Sequence, residues 1–148
     1  MVAVAYTDCS YSMEHRIGAC GWVILVDGNM KSHKVILVGN LGTSQEGELF
    51  SVVQALQECF LINGVKSIVA NTDCQAVVTA SNRKTKKHRM PKKYNELLET
   101  LEMIREYGIG VTITHVKAHC QNTMNNLIDK SSRKQLHNFI KTTNQDNE

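Results

Sequence analysis

The period of apolar and polar positions changes several times along the chain, and each change marks an element. Val2-Ala3-Val4-Ala5-Tyr6-Thr7-Asp8 alternates small and β-branched residues and ends on a carboxylate, a pattern that suits a buried strand. Tyr11 to Arg16 is polar and predicts a turn, after which Gly18 to Val26 reads as a second strand. Asp27-Gly28-Asn29 carries hairpin chemistry, and Lys31 to Val38 continues as a third strand. Strands joined by turns this short predict an antiparallel meander.

The period then lengthens. Leu49, Val52, Val53, Leu56, Cys59 and Phe60 recur at helical spacing. Thr43 and Glu46 fit a capping box ahead of them, and Asn63-Gly64 is a good stop. Ser67 to Thr72 forms a fourth strand that also ends on an acid, Asp73, and a short helix from Gln75 to Ser81 follows. Pro91, the only proline, marks the boundary before a helix striped by Tyr94, Leu97, Leu98, Leu101 and Ile104 and ended by Gly108. Val111 to Val116 is a fifth strand, and a polar turn from His119 to Thr123 leads into a last helix from Asn125 to Ile140.

The order β-β-β-α-β-α-α-β-α, with helical crossovers late in the chain, predicts an α/β fold. Its mixed five-stranded sheet has three antiparallel strands, then parallel ones, and is flanked by helices. One domain over residues 1–141 is expected, with residues 142–148 as a frayed polar tail.

Composition narrows the class. A chain of 148 residues buries an ordinary core without staples, and no apolar run reaches the length of a membrane span. The N-terminus lacks a basic region followed by an apolar segment. Five cysteines without zinc-finger spacing read as reduced thiols, so a cytoplasmic or nuclear location is expected, away from membranes. The net charge of +3 is modest, but Arg83 to Lys93 holds seven of the seventeen Lys and Arg residues and no acid. Such a block is a solvated loop or a contact for polyanions.

Candidate chemistry rests on four carboxylates, Asp8, Glu48, Asp73 and Asp129, each near the end of a different element. If they converge, their repulsion costs several kcal/mol unless cations neutralise it. Hard divalent ions with oxygen ligands suit such a site, and Mg²⁺ suits phosphate substrates. Taken singly, Asp73 is a strand-end or capping residue, Asp129 a helix-surface charge and His119 a loop histidine. Together they favour a site.

The chain resembles the type 1 ribonucleases H, including the domains attached to reverse transcriptases. The resemblance runs from Val2 to about Leu136 and is carried by five motifs in order. These are Tyr-Thr-Asp8 with Gly18-Ala19-Cys20-Gly21-Trp22; Glu48-Leu49 with Val53-Gln54-Ala55-Leu56; and Asn71-Thr72-Asp73-Cys74-Gln75. Val116-Lys117-Ala118-His119 and the pair Asn125 and Asp129 complete the set. The resemblance implies an endonuclease that cuts the RNA strand of RNA–DNA hybrids, leaving 3′-hydroxyl and 5′-phosphate ends. Asp8, Glu48, Asp73 and Asp129 would bind two Mg²⁺ ions, with Mn²⁺ as a substitute, and His119 would assist proton transfer or product departure. Ser10, Ser44, Gln45, Gln75 and Asn125 match positions in or beside the nucleic-acid contact. The block's Lys86, Lys87, Lys92 and Lys93 would meet phosphates.

Departures from the family pattern are Cys9, where Gly or Ala is usual, and Ser44-Gln45 in place of two Asn residues. The alternatives are a retroelement or viral domain working beside a polymerase or reverse transcriptase, a non-catalytic relative, and another two-metal nuclease. A monomer is expected. Cys9, Cys74 and Cys120 each directly follow a candidate site residue. They read as small buried hydrophobes, and the sharper alternative is a redox- or zinc-sensitive site. Strand alternation puts Cys9 on the face opposite Asp8. The remaining histidines, His15, His33, His88, His115 and His137, receive no role.

Overall fold

The computed structural model describes residues 1–82, 91–116 and 123–146. Strands β1 (Val2–Ser12), β2 (Ile17–Val26) and β3 (Asn29–Val38) come first, then helix α1 (Ser44–Phe60) and strand β4 (Ser67–Thr72). Helices α2 (Gln75–Ser81) and α3 (Pro91–Glu106), strand β5 (Gly110–His115) and helix α4 (Thr123–Asp146) complete the order that the periodicity predicts. The sheet runs β3-β2-β1-β4-β5, with β1–β2 and β2–β3 antiparallel and β1–β4 and β4–β5 parallel.

Strand β1 lies at the centre because its residues fit burial on both sides. Ala3 and Ala5 are fully buried and share a face with Trp22, Ile24 and Val26 of β2 and Ile68 and Ala70 of β4. Against that face pack Leu49, Val52 and Leu56 of α1 and Leu97, Leu101 and Ile104 of α3. Each such Leu or Ile contributes about 1.5–3 kcal/mol by leaving water. Helix α4 covers the opposite face over β1, β2 and β3 with Ile128 and Leu136. Its approach requires Gly21, because a Cβ there would lie 2.8 Å from Ser132 Oγ.

Helix α1 starts at the predicted cap. Thr43 Oγ1 accepts from Glu46 N at 3.3 Å, while the Glu46 carboxylate accepts from Gly42 N at 2.9 Å. That return bond reaches one residue upstream of the cap.

Two boundaries differ most from the sequence reading. Strand β1 continues through Ser12, because Tyr11 and Ser12 pair with Gly18 and Ile17 and the Tyr11 hydroxyl donates to Leu41 O at 2.7 Å. The turn therefore shrinks to residues 13–16, closed by Arg16 in the left-handed region at φ 54°. The expected frayed tail is also corrected: residues 142–146 belong to α4. No Gly or Pro interrupts that helix, and the Thr142 and Thr143 hydroxyls donate to the carbonyls of Asn138 and Phe139. Among the described residues no helix is long and apolar enough to cross a membrane.

Candidate catalytic centre

The site forms where the central strands end. Thr7 pairs with Thr72, so the next residues of the two parallel strands, Asp8 and Asp73, emerge side by side. Asp8 pairs with Gly21 on the face under α4, whereas Cys9 faces α1, as alternation predicts. Glu48 comes from the first turns of α1 and reaches the strand end from the other side. One carboxylate oxygen from each of Asp8, Glu48 and Asp73 lies within 4.8 Å of the others.

Asp8 and Glu48 are buried, at 6% and 8% exposure, while Asp73 is half-buried. The Cys9 amide donates to Asp8 Oδ1 at 2.9 Å and to Glu48 Oε1 at 3.3 Å, and so fixes both acids through one backbone group. Ser51 Oγ lies 3.0 Å from Asp8 O and 3.1 Å from Gly47 O, which ties the end of β1 to α1. Glu48 Oε2 is buried and has no hydrogen-bond partner among the described residues.

Electrostatics follow from this crowding. Burial first, then repulsion from Asp73 and a hydrogen-bonding contact with Asp129, push the Asp8 carboxyl up to about 7. Burial, together with the charges of Asp8 and Asp73, also raises Glu48 well above the usual carboxylate range. An orphaned carboxylate oxygen beside two converging acids suits a hard, oxygen-preferring cation such as Mg²⁺ or Mn²⁺. Bound charge there would replace repulsion with attraction.

Asp129, half-buried on α4, stands outside the trio but touches Asp8. Its Oδ1 accepts from Arg133 Nε at 3.1 Å, an exposed pair one helical turn apart. Such pairs are weak, worth about 0.3–0.5 kcal/mol, and do not commit the carboxylate. The fourth acid therefore joins the site through its contact with Asp8.

The other candidates separate by position. Ser10 follows Asp8 on the same face of β1, and Ser44 and Gln45 open α1 one turn before Glu48. Gln75 is exposed at the start of α2, two residues beyond Asp73. These residues rim the acids at one end of the sheet. Asn125 is buried one turn before Asp129, where it can brace that helix. Lys92 is exposed at the start of α3, and Lys93 Nζ sits 5.9 Å from the centroid of the Phe50 ring on α1. His119, Lys86, Lys87 and Cys120 lie outside the described residues. Strand β5 nevertheless ends beside the site, with Val116 N donating to Thr72 O at 2.8 Å.

Sequence reasoning missed Ser51 and the Cys9 amide. Ser51 had a visible signal, since it is a polar residue within the apolar run of α1 and fully buried. The amide had none, because every residue but proline carries one.

The RNase H family's sequence model matches residues 2–137. No curated protein sequence matches significantly. Among solved structures, RNase H1 from the halophilic archaeon Halobacterium salinarum NRC-1 aligns with a TM-score of 0.71 at 21% sequence identity. The alignment covers 93% of this chain and 99% of that one, and at this identity it speaks to the fold.

Proposed function

The chain belongs to the RNase H family, and from that premise we propose that it hydrolyses the RNA strand of RNA–DNA hybrids. The observation that carries this reading is the convergence of Asp8, Glu48 and Asp73 within 4.8 Å, on a fold of this family. These three acids, with Asp129 joining through Asp8, would hold two divalent cations, Mg²⁺ or Mn²⁺ in its place. When bound, such ions lower the pKa of an attacking water and stabilise the departing oxygen of a phosphodiester.

The protein's own residues set the geometry. The Cys9 amide and Ser51 hydroxyl keep Asp8 and Glu48 in register without adding charge. Burial of both acids keeps bulk water from screening the charges that meet the scissile phosphate. Ser10, Ser44, Gln45 and Gln75, on the rim, would contact the backbone and the 2′-hydroxyls that distinguish RNA from DNA. His119 would exchange a proton with the reacting oxygens, a role that fits its near-neutral reference pKa. The products would carry 3′-hydroxyl and 5′-phosphate ends.

The test is cleavage of end-labelled RNA–DNA hybrid, duplex RNA and duplex DNA with Mg²⁺, using the parent chain and Asp8→Asn. Hybrid alone should be cut, and the variant should be slower by at least about 100-fold, since a metal ligand supports several kcal/mol of charge stabilisation. Equal cleavage by parent and variant would remove Asp8 from the mechanism.

A further inference from the structure

Beneath the acids lies a second pair of reactive groups that hydrolysis does not use. Cys9 and Cys20 are directly opposed in the antiparallel β1–β2 ladder, and their Sγ atoms are 3.4 Å apart. Opposed residues in such a ladder have Cα atoms about 4.5–5.5 Å apart, inside the range that a disulfide spans. Cys20 is fully buried, whereas Cys9 is half-buried and so is the thiol that a solute reaches first.

The pair is mechanically connected to the site. The Cys9 amide holds Asp8 and Glu48, and the Cys9 sulfur occupies the space that the missing side chain of Gly47 leaves beside Glu48. The Cys20 thiol lies 3.5 Å from Gly47 O as a donor. Joining the two sulfurs would pull Cys9 toward β2 and abolish the Cys20 donor, which disturbs both supports of Glu48.

We propose that Cys9 and Cys20 are a thiol modification site, oxidised reversibly to a cross-strand disulfide that lowers the hydrolytic activity. The inhibitory part rests on the reading of the acids as a nuclease site. Glutathione disulfide is a sufficient oxidant. The Cys9 sulfur attacks one of its sulfurs, forming a mixed disulfide and releasing one glutathione. The Cys20 sulfur then attacks the Cys9 sulfur and displaces the second glutathione. One S–S bond replaces two S–H bonds in the protein, and two electrons and two protons reduce glutathione disulfide to two thiols.

Acids beside Cys9 slow its attack, so the test is set at equilibrium. The full chain is held in glutathione buffers of graded ratio, its free thiols are alkylated, and its peptides are weighed. The expected result is a Cys9–Cys20 linked peptide, two hydrogens lighter, that forms and disappears reversibly with the ratio. Hybrid cleavage should fall with the linked fraction by roughly 10- to 100-fold, the effect of small displacements at a reacting centre, and return with dithiothreitol. Cys20→Ala and Cys20→Ser should lose this oxidant sensitivity, while Cys74→Ala keeps it. Absence of the linked peptide, a glutathione adduct that goes no further, or a linked protein of undiminished activity overturns the proposal. Mass analysis of the unsubstituted chain needs no variant to fold. A chain that forms the link on oxidation but cuts no hybrid even when fully reduced overturns the nuclease reading instead, and the inhibition with it.

Discussion

At the scale of single residues, the most consequential group is a carboxylate held where it does not favour its charge. Burial and neighbouring acids raise Asp8 from about 4 in an unfolded chain to about 7. The folded state therefore binds a proton more tightly than the unfolded state does. The resulting stabilisation is fully present below about pH 4 and is lost as pH rises through about 7. At 1.36 kcal/mol per unit, the loss is on the order of 4 kcal/mol. In EDTA, urea unfolding should show the parent weaker at pH 8 than at pH 5, with Asp8→Asn flattening that difference and stabilising the protein at pH 8. Added Mg²⁺ should restore the parent and leave the variant nearly unmoved. A parent whose metal-free stability does not fall over this interval would contradict the raised carboxyl. Cys9, unexplained from sequence because the family pattern has Gly or Ala there, finds its physical reason at this scale. Its sulfur fills the space beside Gly47, whereas the amide that serves two acids would come with Gly or Ala as well.

Between elements, the contact that sets the site is the approach of α1 to the end of β1. Gly47 permits it, since a Cβ at that position would overlap Cys9 Sγ and sit 3.4 Å from Leu41 Cδ1. Gly47→Ala should cost about 1–3 kcal/mol, the usual penalty for overpacking, although alanine is the better helix former. Combined with Cys9→Ala, it should recover most of that loss. Chemical denaturation of the two single variants and the double variant measures the coupling, and strict additivity would show that the contact is not the cause. The cap on α1 was legible in Thr43 and Glu46. The extension of α4 to Asp146 was not, because a polar stretch lacking Gly and Pro suits either a helix or a loose end.

For the whole molecule, net charge is modest, and distribution matters more. The acids gather at one end of the sheet, and Lys93 of α3 stands over Phe50, two residues beyond Glu48 on α1. Lysines beside an anionic site suit a polyanion held partly by phosphate contacts. Replacing Lys86, Lys87, Lys92 and Lys93 by Ala should weaken hybrid binding at low salt. The slope of log affinity against log salt should become shallower by roughly 0.9 for each phosphate contact removed. Fluorescence anisotropy across a salt series measures this, and an unchanged slope would remove the block from the interface.

The sequence by itself determined the element order and the α1 cap, and it singled out four acids as candidates. Local rules are enough for these: hydrophobic period distinguishes strand from helix, and Asp8 and Asp73 each stand at the end of an apolar run. Only the tertiary structure decided which acids meet. The parallel register of β1 and β4 sets Asp73 beside Asp8, and the packing of α1 delivers Glu48. The line of α4 across the back of the sheet brings Asp129 against Asp8. It also decided that Cys9 and Cys20, eleven residues apart in the chain, face each other beneath the acids. Opposition across a hairpin depends on register, and register depends on where the turn closes. The sequence placed that turn too early, because Tyr11 and Ser12 look polar until their ladder partners are in place.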